Sequence, residues 1–215
     1  MTNAELYSHV DHTQLKPYAT WKEIVKLCDE AIKFRTASVC VPPSFIKKIK
    51  ETYKESLDIC TVIGFPLGYS TTEVKVKETL EAIKDGADEI DMVINIGDVK
   101  NGDYDKVLAE IKAVKNACKN KILKVIVETC YLDENEKIKM CEIVTEAGAD
   151  YIKTSTGFGT GGATFDDVKL FKEHIGQNVK IKAAGGIRTK EDMETFLSLG
   201  ADRLGTSSAV SILEG

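Results

Sequence analysis

Eight short β-branched runs that start 22 to 34 residues apart, helical patterns between them, and a Gly-Ala-Asp triplet repeated at three of the joints predict an α/β chain folded as a single-domain (β/α)8 TIM barrel over residues 1–215. The runs are 9–13, 37–41, 59–63, 88–93, 122–127, 150–153, 179–183 and 202–205. Each interval holds one strand, one helix and two loops, so every crossover should be parallel and right-handed. The triplets Gly86-Ala87-Asp88, Gly148-Ala149-Asp150 and Gly200-Ala201-Asp202 follow helical patterns, and their glycines suit a left-handed helix end. Stretches 71–84 and 135–147 carry apolar residues at three- and four-residue spacing, with Glu and Lys forming a solvated face. Pro17, Pro42, Pro43 and Pro66 sit at the ends of runs and no linker divides the chain, which favours one domain. A doubly wound open sheet is the competing architecture. The first run lacks a GxGxxG turn, however, and the glycine-rich turns fall late.

The chain carries 29 Lys and Arg against 34 Asp and Glu, a net charge of −5, with 43% hydrophobic residues. This balance excludes disordered and fibrous classes, and no basic block is interleaved with aromatics, so nucleic acid is not an expected partner. No apolar run approaches the ~20 residues that cross a bilayer, and residues 1–10 show no basic region followed by an apolar core. No membrane partner is therefore expected, and the cytoplasm is the expected address. Six cysteines without a CxxC pair and three histidines without paired-ligand spacing predict no metal site. Cys40 and Cys60, inside apolar runs, read as small buried hydrophobes.

Parallel strands covered on both faces normally read as continuous Val, Ile and Leu. In Glu89-Ile90-Asp91-Met92-Val93, alternation sets Asp91 against Ile90 and Met92, so if those two meet the helices, Asp91 points into the barrel. The same parity turns Lys153 inward next to Ile152, and Lys182 inward opposite Ile181. Two ammonium groups and a carboxylate then converge near the mouth where barrel enzymes act. A lone lysine here would read as an ion pair or a snorkelling side chain, but three charges on three strands favour function, because idle buried charge is costly. An ordinary lysine, with a pKa of about 10.4, is almost wholly protonated at neutral pH; burial and a neighbouring cation favour the free amine. A free amine adds to an aldehyde or ketone, loses water as an iminium, and acts as an electron sink for the adjacent carbon-carbon bond. An inward carboxylate can shuttle the protons.

Three turns suit a phosphate: Thr154-Ser155-Thr156-Gly157 after Lys153, Ala184-Gly185-Gly186-Ile187-Arg188 after Lys182, and Gly205-Thr206-Ser207-Ser208 at the end of the last run. Glycines let backbone N–H groups approach a phosphate, and glycine-rich turns after strands seven and eight match a common barrel phosphate site. Arg188 could meet a phosphate or pair with Glu191 or Asp192.

The segments Asp11-His12-Thr13, Ala37-Ser38-Val39-Cys40-Val41-Pro42, Val62-Ile63-Gly64-Phe65-Pro66-Leu67-Gly68, Glu89-Ile90-Asp91-Met92-Val93-Ile94-Asn95, Tyr151-Ile152-Lys153-Thr154-Ser155-Thr156-Gly157-Phe158 and Lys182-Ala183-Ala184-Gly185-Gly186-Ile187-Arg188 resemble the deoxyribose-phosphate aldolase family of class I aldolases, essentially end to end. The resemblance implies a lyase that reversibly cleaves 2-deoxy-D-ribose 5-phosphate to glyceraldehyde 3-phosphate and acetaldehyde, in deoxyribose catabolism, with no metal or organic cofactor. It implies Lys153 as the Schiff-base lysine, Lys182 as the second lysine that favours its free amine, and Asp91 in the proton relay. By the same carry-over Gly157, Gly185, Gly186, Ser207 and Ser208 hold the phosphate, Thr156 belongs to the substrate site, and Thr13 and Cys40 line the pocket. Lys124 and Glu128 share a face of the fifth run and are placed beside the Schiff-base lysine, unless Lys124 caps the barrel bottom. The implied partners are the phosphorylated sugar and acetaldehyde, with a homodimer or homotetramer as the assembly.

Two departures shape the expectation. Some members have a lysine where this chain has Phe158, and some carry a C-terminal tail ending in tyrosine where this sequence ends at Gly215. The phosphate should then be held mostly by backbone groups, and proton transfer should not depend on such a tyrosine. The rival readings are another Schiff-base sugar-phosphate aldolase or transaldolase, and a non-catalytic sugar-phosphate-binding barrel.

Overall fold

The computed structural model describes residues 1–215, and its eight parallel strands close in chain order into a barrel. The strands are β1 Val10–Thr13, β2 Ser38–Val41, β3 Ile59–Ile63, β4 Glu89–Val93, β5 Ile122–Ile126, β6 Tyr151–Lys153, β7 Lys180–Ala184 and β8 Arg203–Thr206. The seam is β1 on β8, with Asp11 opposite Gly205. The observed strands differ from the expected runs by a residue or so at their ends: β1 begins at Val10, β5 stops at Ile126 and β7 reaches Ala184.

The principal helices are α2 Trp21–Phe34, α3 Ile46–Tyr53, α4 Thr72–Asp85, α6 Tyr104–Cys118, α7 Glu134–Glu146, α8 Phe165–His174 and α9 Lys190–Ser198. Threonine or aspartate caps start several of them, as where Thr20 and Glu23 satisfy each other's backbone N–H groups ahead of α2. The triplet glycines Gly86, Gly148 and Gly200 adopt φ of 114°, 70° and 107°, the left-handed region that ends a helix without a Cβ clash. Three short helices escape the period analysis: α1 Asn3–Ser8, α5 Ile96–Lys100 and α10 Ala209–Glu214. At five or six residues none completes two turns, too few for a 3.6-residue pattern to register.

The hydrophobic core lies outside the strands, where Val39, Val41, Ile90, Met92, Leu123, Val125, Ile152 and Ile181 meet the helical layer. The lumen holds a small separate apolar group, Cys40, Cys60 and Val62, packed by Leu15 and Phe65. Strand parity thus sends most of the apolar strand residues outward and turns the charged ones in.

Candidate active site

Every strand sends a chemically active side chain into the lumen, and each is buried or nearly so: Asp11, Cys40, Cys60, Glu89 with Asp91, Lys124, Lys153, Lys182 and Arg203, in strand order. Asp91 is the hub. Its Oδ2 accepts from Lys153 Nζ at 2.8 Å and from Lys182 Nζ at 2.6 Å, while its Oδ1 accepts from Lys124 Nζ at 2.9 Å. Lys182 also pairs with Asp11. Lys124 reaches Glu89 at 2.5 Å and Asp11 at 3.5 Å, and Arg203 bridges Asp11 at 2.5 Å and Glu89 at 3.2 Å. Cys60 Sγ lies 3.2 Å from Asp91 Oδ1 and 3.3 Å from Lys124 Nζ.

Burial alone would push the Asp91 carboxyl up, yet the ammonium groups of Lys124, Lys153 and Lys182 outweigh it and hold the carboxyl well below its usual range. Asp11 is held low in the same way against burial by Lys124, Lys182 and Arg203. Burial pulls Lys182 and Lys124 down, but the carboxylates beside them, Asp11 and Asp91 foremost, drive both up. The Cys40 thiol is lowered by its contact with Cys60, and the Cys60 thiol is raised by burial. Asp11 and Asp91 are therefore held as carboxylates, and Lys124 and Lys182 as ammonium groups.

Above this floor, at the C-terminal ends of the strands, opens a cleft of about 380 Å³. Lys153 reaches its lining, together with Thr13, Thr156, Gly157, Gly185, Gly186, Ser207 and Ser208. Cys40, Asp91 and Lys182 lie beneath, fully buried. The backbone N–H groups of Gly157, Gly185, Gly186 and Ser207 donate to no other group of the protein, whereas that of Ser208 donates to Thr206 Oγ1 at 3.1 Å. Gly157, Gly185 and Gly186 have φ of 85°, 81° and 80°, which favours glycine at each. Lys16 and Arg188 line the same cleft, so two cationic side chains stand beside the backbone donors. Arg188 meets Asp192 through its backbone N–H, at 2.9 Å.

Phe158 stands between this cleft and a neighbouring apolar one of about 400 Å³ that includes Leu67, Tyr69 and Tyr131. Its ring meets Phe65 edge-on, with centroids 5.4 Å apart.

Lys124 and Glu128, expected on one face of the fifth strand beside the Schiff-base lysine, do not share a strand face. Lys124 lies inside the lumen on Asp91, closer to the lysine pair than a cap on the barrel bottom would be. Glu128 follows the end of β5 in a left-handed conformation, φ 54°, and so leaves the strand's alternation. Its carboxylate accepts from the Thr156 backbone N–H at 3.1 Å and from the Thr156 hydroxyl, whose oxygen in turn accepts from the Phe158 N–H at 3.0 Å. Glu128 thereby shapes the turn that carries Gly157. Sequence reasoning missed Asp11, Glu89 and Arg203. The alternation that found Asp91 would have found Glu89 two positions earlier on the same strand, and Asp11 next to the outward-facing Val10.

Residues 6–209 match the family model described as DeoC/LacD family aldolase. The chain is 66% identical, over all 215 of its residues and 97% of the relative, to the deoxyribose-phosphate aldolase of Clostridium botulinum strain Alaska E43. Among solved structures it is similar to the aldolase QR15, with a TM-score of 0.93 and 43% identity over 98% of this chain and 95% of that one. It is also similar to the tetrameric deoxyribose phosphate aldolase from Aeropyrum pernix, with a TM-score of 0.92 and 33% identity over 99% of this chain and 91% of that one. Sequence and barrel architecture agree, and this chain belongs to the DeoC/LacD family of aldolases.

Proposed function

We propose that this chain, working as one domain, cleaves 2-deoxy-D-ribose 5-phosphate reversibly to glyceraldehyde 3-phosphate and acetaldehyde through a Schiff base on Lys153. The observation that carries the reading is that Lys153 is the one lumen lysine that also lines the cleft, 2.8 Å from the carboxylate that Lys182 shares. The free Nζ of Lys153 adds to the C1 aldehyde of the open-chain sugar, and the carbinolamine loses water to give the iminium. The C3 hydroxyl then gives up its proton as the C2–C3 bond breaks, its electron pair flows into the iminium, and glyceraldehyde 3-phosphate leaves an enamine behind. Protonation at C2 and hydrolysis by one water release acetaldehyde and restore the amine. Asp91, beside the Lys182 ammonium, takes the protons given up at Nζ and at the C3 hydroxyl and returns them to the departing water and to C2.

In this reading the phosphate is received by the N–H groups of Gly157, Gly185, Gly186 and Ser207, with Ser208 at the rim, and Lys16 and Arg188 add charge. Thr13 and Thr156 line the sugar's path, and Cys40 packs below. The chain self-associates as a homodimer or homotetramer, a proposal supported by the tetramer of the Aeropyrum pernix relative and checked by sedimentation. Six free cysteines, five of them buried, suit a reducing cytoplasm.

Intact mass after acetaldehyde and borohydride tests the chemistry, on wild type, Lys153→Met and Lys182→Met. The expected result is one added ethyl group in wild type, mapped to Lys153, none in Lys153→Met, and a slowed adduct in Lys182→Met. Specific labelling of Lys153→Met would reverse the two lysines, and an unlabelled wild type would leave a binding barrel.

A further inference from the structure

Three carboxylates and four cationic groups share the lumen. Each of three cations spans at least two carboxylates: Lys124 meets Glu89, Asp91 and Asp11 at 2.5, 2.9 and 3.5 Å, Lys182 meets Asp11 and Asp91, and Arg203 meets Asp11 and Glu89. These three balance Asp11, Glu89 and Asp91. Lys153 is the fourth cation, and it touches a single carboxylate oxygen that already accepts from Lys182. The cluster is electrically neutral only when Lys153 is the free amine, the form the Schiff base needs.

We propose that Glu89 and Arg203, the first residues of β4 and β8 at the end of the barrel away from the cleft, are positioning residues that set the pH at which Lys153 becomes a free amine. The proposal rests on the reading of Lys153 as the Schiff-base lysine. The path is continuous: Glu89 holds Lys124 at 2.5 Å, Lys124 holds Asp91 at 2.9 Å, and Asp91 holds Lys153 at 2.8 Å. Without the Glu89 charge, Lys124 directs its full charge at Asp91, and Asp91 holds the Lys153 proton less firmly. Without the Arg203 charge, Glu89 and Asp11 face the lysines with more of their own, and the proton is held harder. The other groups that bear on Lys153 are Lys182 from β7 and the Cys40 thiol from β2, while the Cys60 thiol from β3 meets Asp91 and Lys124. Around Arg203 stand the Tyr151 ring, 5.7 Å away, and the more distant, exposed Asp58. None of these changes in the variants below.

The test follows the rate of iminium formation with acetaldehyde against pH, with samples quenched into borohydride at one fixed pH. Acetaldehyde carries no phosphate, so the rising limb belongs to the protein. Glu89→Gln is expected to move the midpoint of that limb down by about one pH unit, and Arg203→Gln up by about one. The double variant, which restores the count, returns it to within about 0.3 unit of wild type. A merely structural role would move both single variants the same way, through loss of fold. Midpoints that move together, or not at all, while the ethyl group still maps to Lys153, overturn the proposal and leave the Schiff-base reading standing. An adduct mapped elsewhere in wild type overturns both. Circular dichroism accompanies each variant, and should one single variant fail to fold, the sign of the other decides.

Discussion

The protein buries charge in two places, and they differ in kind. Between α4 and α6, outside the barrel, Lys75 Nζ meets Glu110 Oε2 at 2.8 Å and donates to the Val93 carbonyl, with both side chains almost wholly buried. There burial prevails over the partner: it pulls Lys75 down and pushes Glu110 up, each toward its neutral form. In the lumen the reverse holds for Asp91, which faces three ammonium groups, and for Lys182, which faces two carboxylates: Asp91 is driven below and Lys182 above their ordinary values. A buried ion pair is therefore no mark of chemistry by itself. The outer pair is balanced one to one and ties α4 to α6 and the end of β4, whereas the lumen carries one cation more than it can pair.

The comparison breaks most visibly at Lys153. Lys153→Met is expected to lower kcat at least about 10⁴-fold, as loss of a covalent nucleophile does. Its thermal midpoint should not fall, because the substitution removes the unbalanced charge and leaves three cations on three carboxylates. A clear drop in the melt would show that Lys153 is a structural cation like Lys124.

Asp91→Asn comes next. It leaves Lys153 without a carboxylate and takes one partner each from Lys182 and Lys124, so kcat should fall about 10²- to 10⁴-fold and stability by about 3–5 kcal/mol in denaturant melts. The two carboxyls held low, Asp11 and Asp91, contribute stability that is present above the unfolded carboxyl pKa of about 3.9 and is lost as pH falls below it. Glu110, pushed up by burial, acts in the other sense: its contribution is fully present below the unfolded value and is lost as pH rises through the folded one. Acid melts of Glu110→Gln should accordingly be steeper than those of wild type, and acid melts of Asp91→Asn shallower.

At the outer pair, Lys75→Met alone should cost about 3 kcal/mol by leaving Glu110 buried without its partner, whereas Lys75→Met with Glu110→Leu should be close to neutral. Both variants should keep kcat within about threefold, since neither touches the lumen. The smallest effect is expected at the cleft: Phe158→Lys should lower KM for the phosphorylated substrate about threefold at low ionic strength, and the gain should fade with added salt.

The sequence made the lysine pair and Asp91 legible because alternation in a short strand reports the face of each residue, and Ile90, Met92, Ile152 and Ile181 mark the outer face plainly. It left the partners illegible. Lys182 meets Asp91 across 91 positions, and no pattern within one strand carries that distance. Glu128 escaped for a different reason: the left-handed turn after Ile126 ends the alternation on which its placement on the face of Lys124 was built. Lys16 and Arg188 at the cleft come from loops, where no periodicity says which way a side chain faces.

The seam of the barrel joins residues made early to residues made much later. Asp11 on β1 is answered by Arg203 on β8, 192 positions away, and by Lys182 on β7. During synthesis the first strand thus carries a carboxylate whose counter-charges do not yet exist, and such distant pairings form late in folding. An unfinished chain has no balanced interior. On the proposed chemistry a half-built barrel holds no lysine primed toward aldehydes, because the charges around Lys153 are complete only when the ring closes.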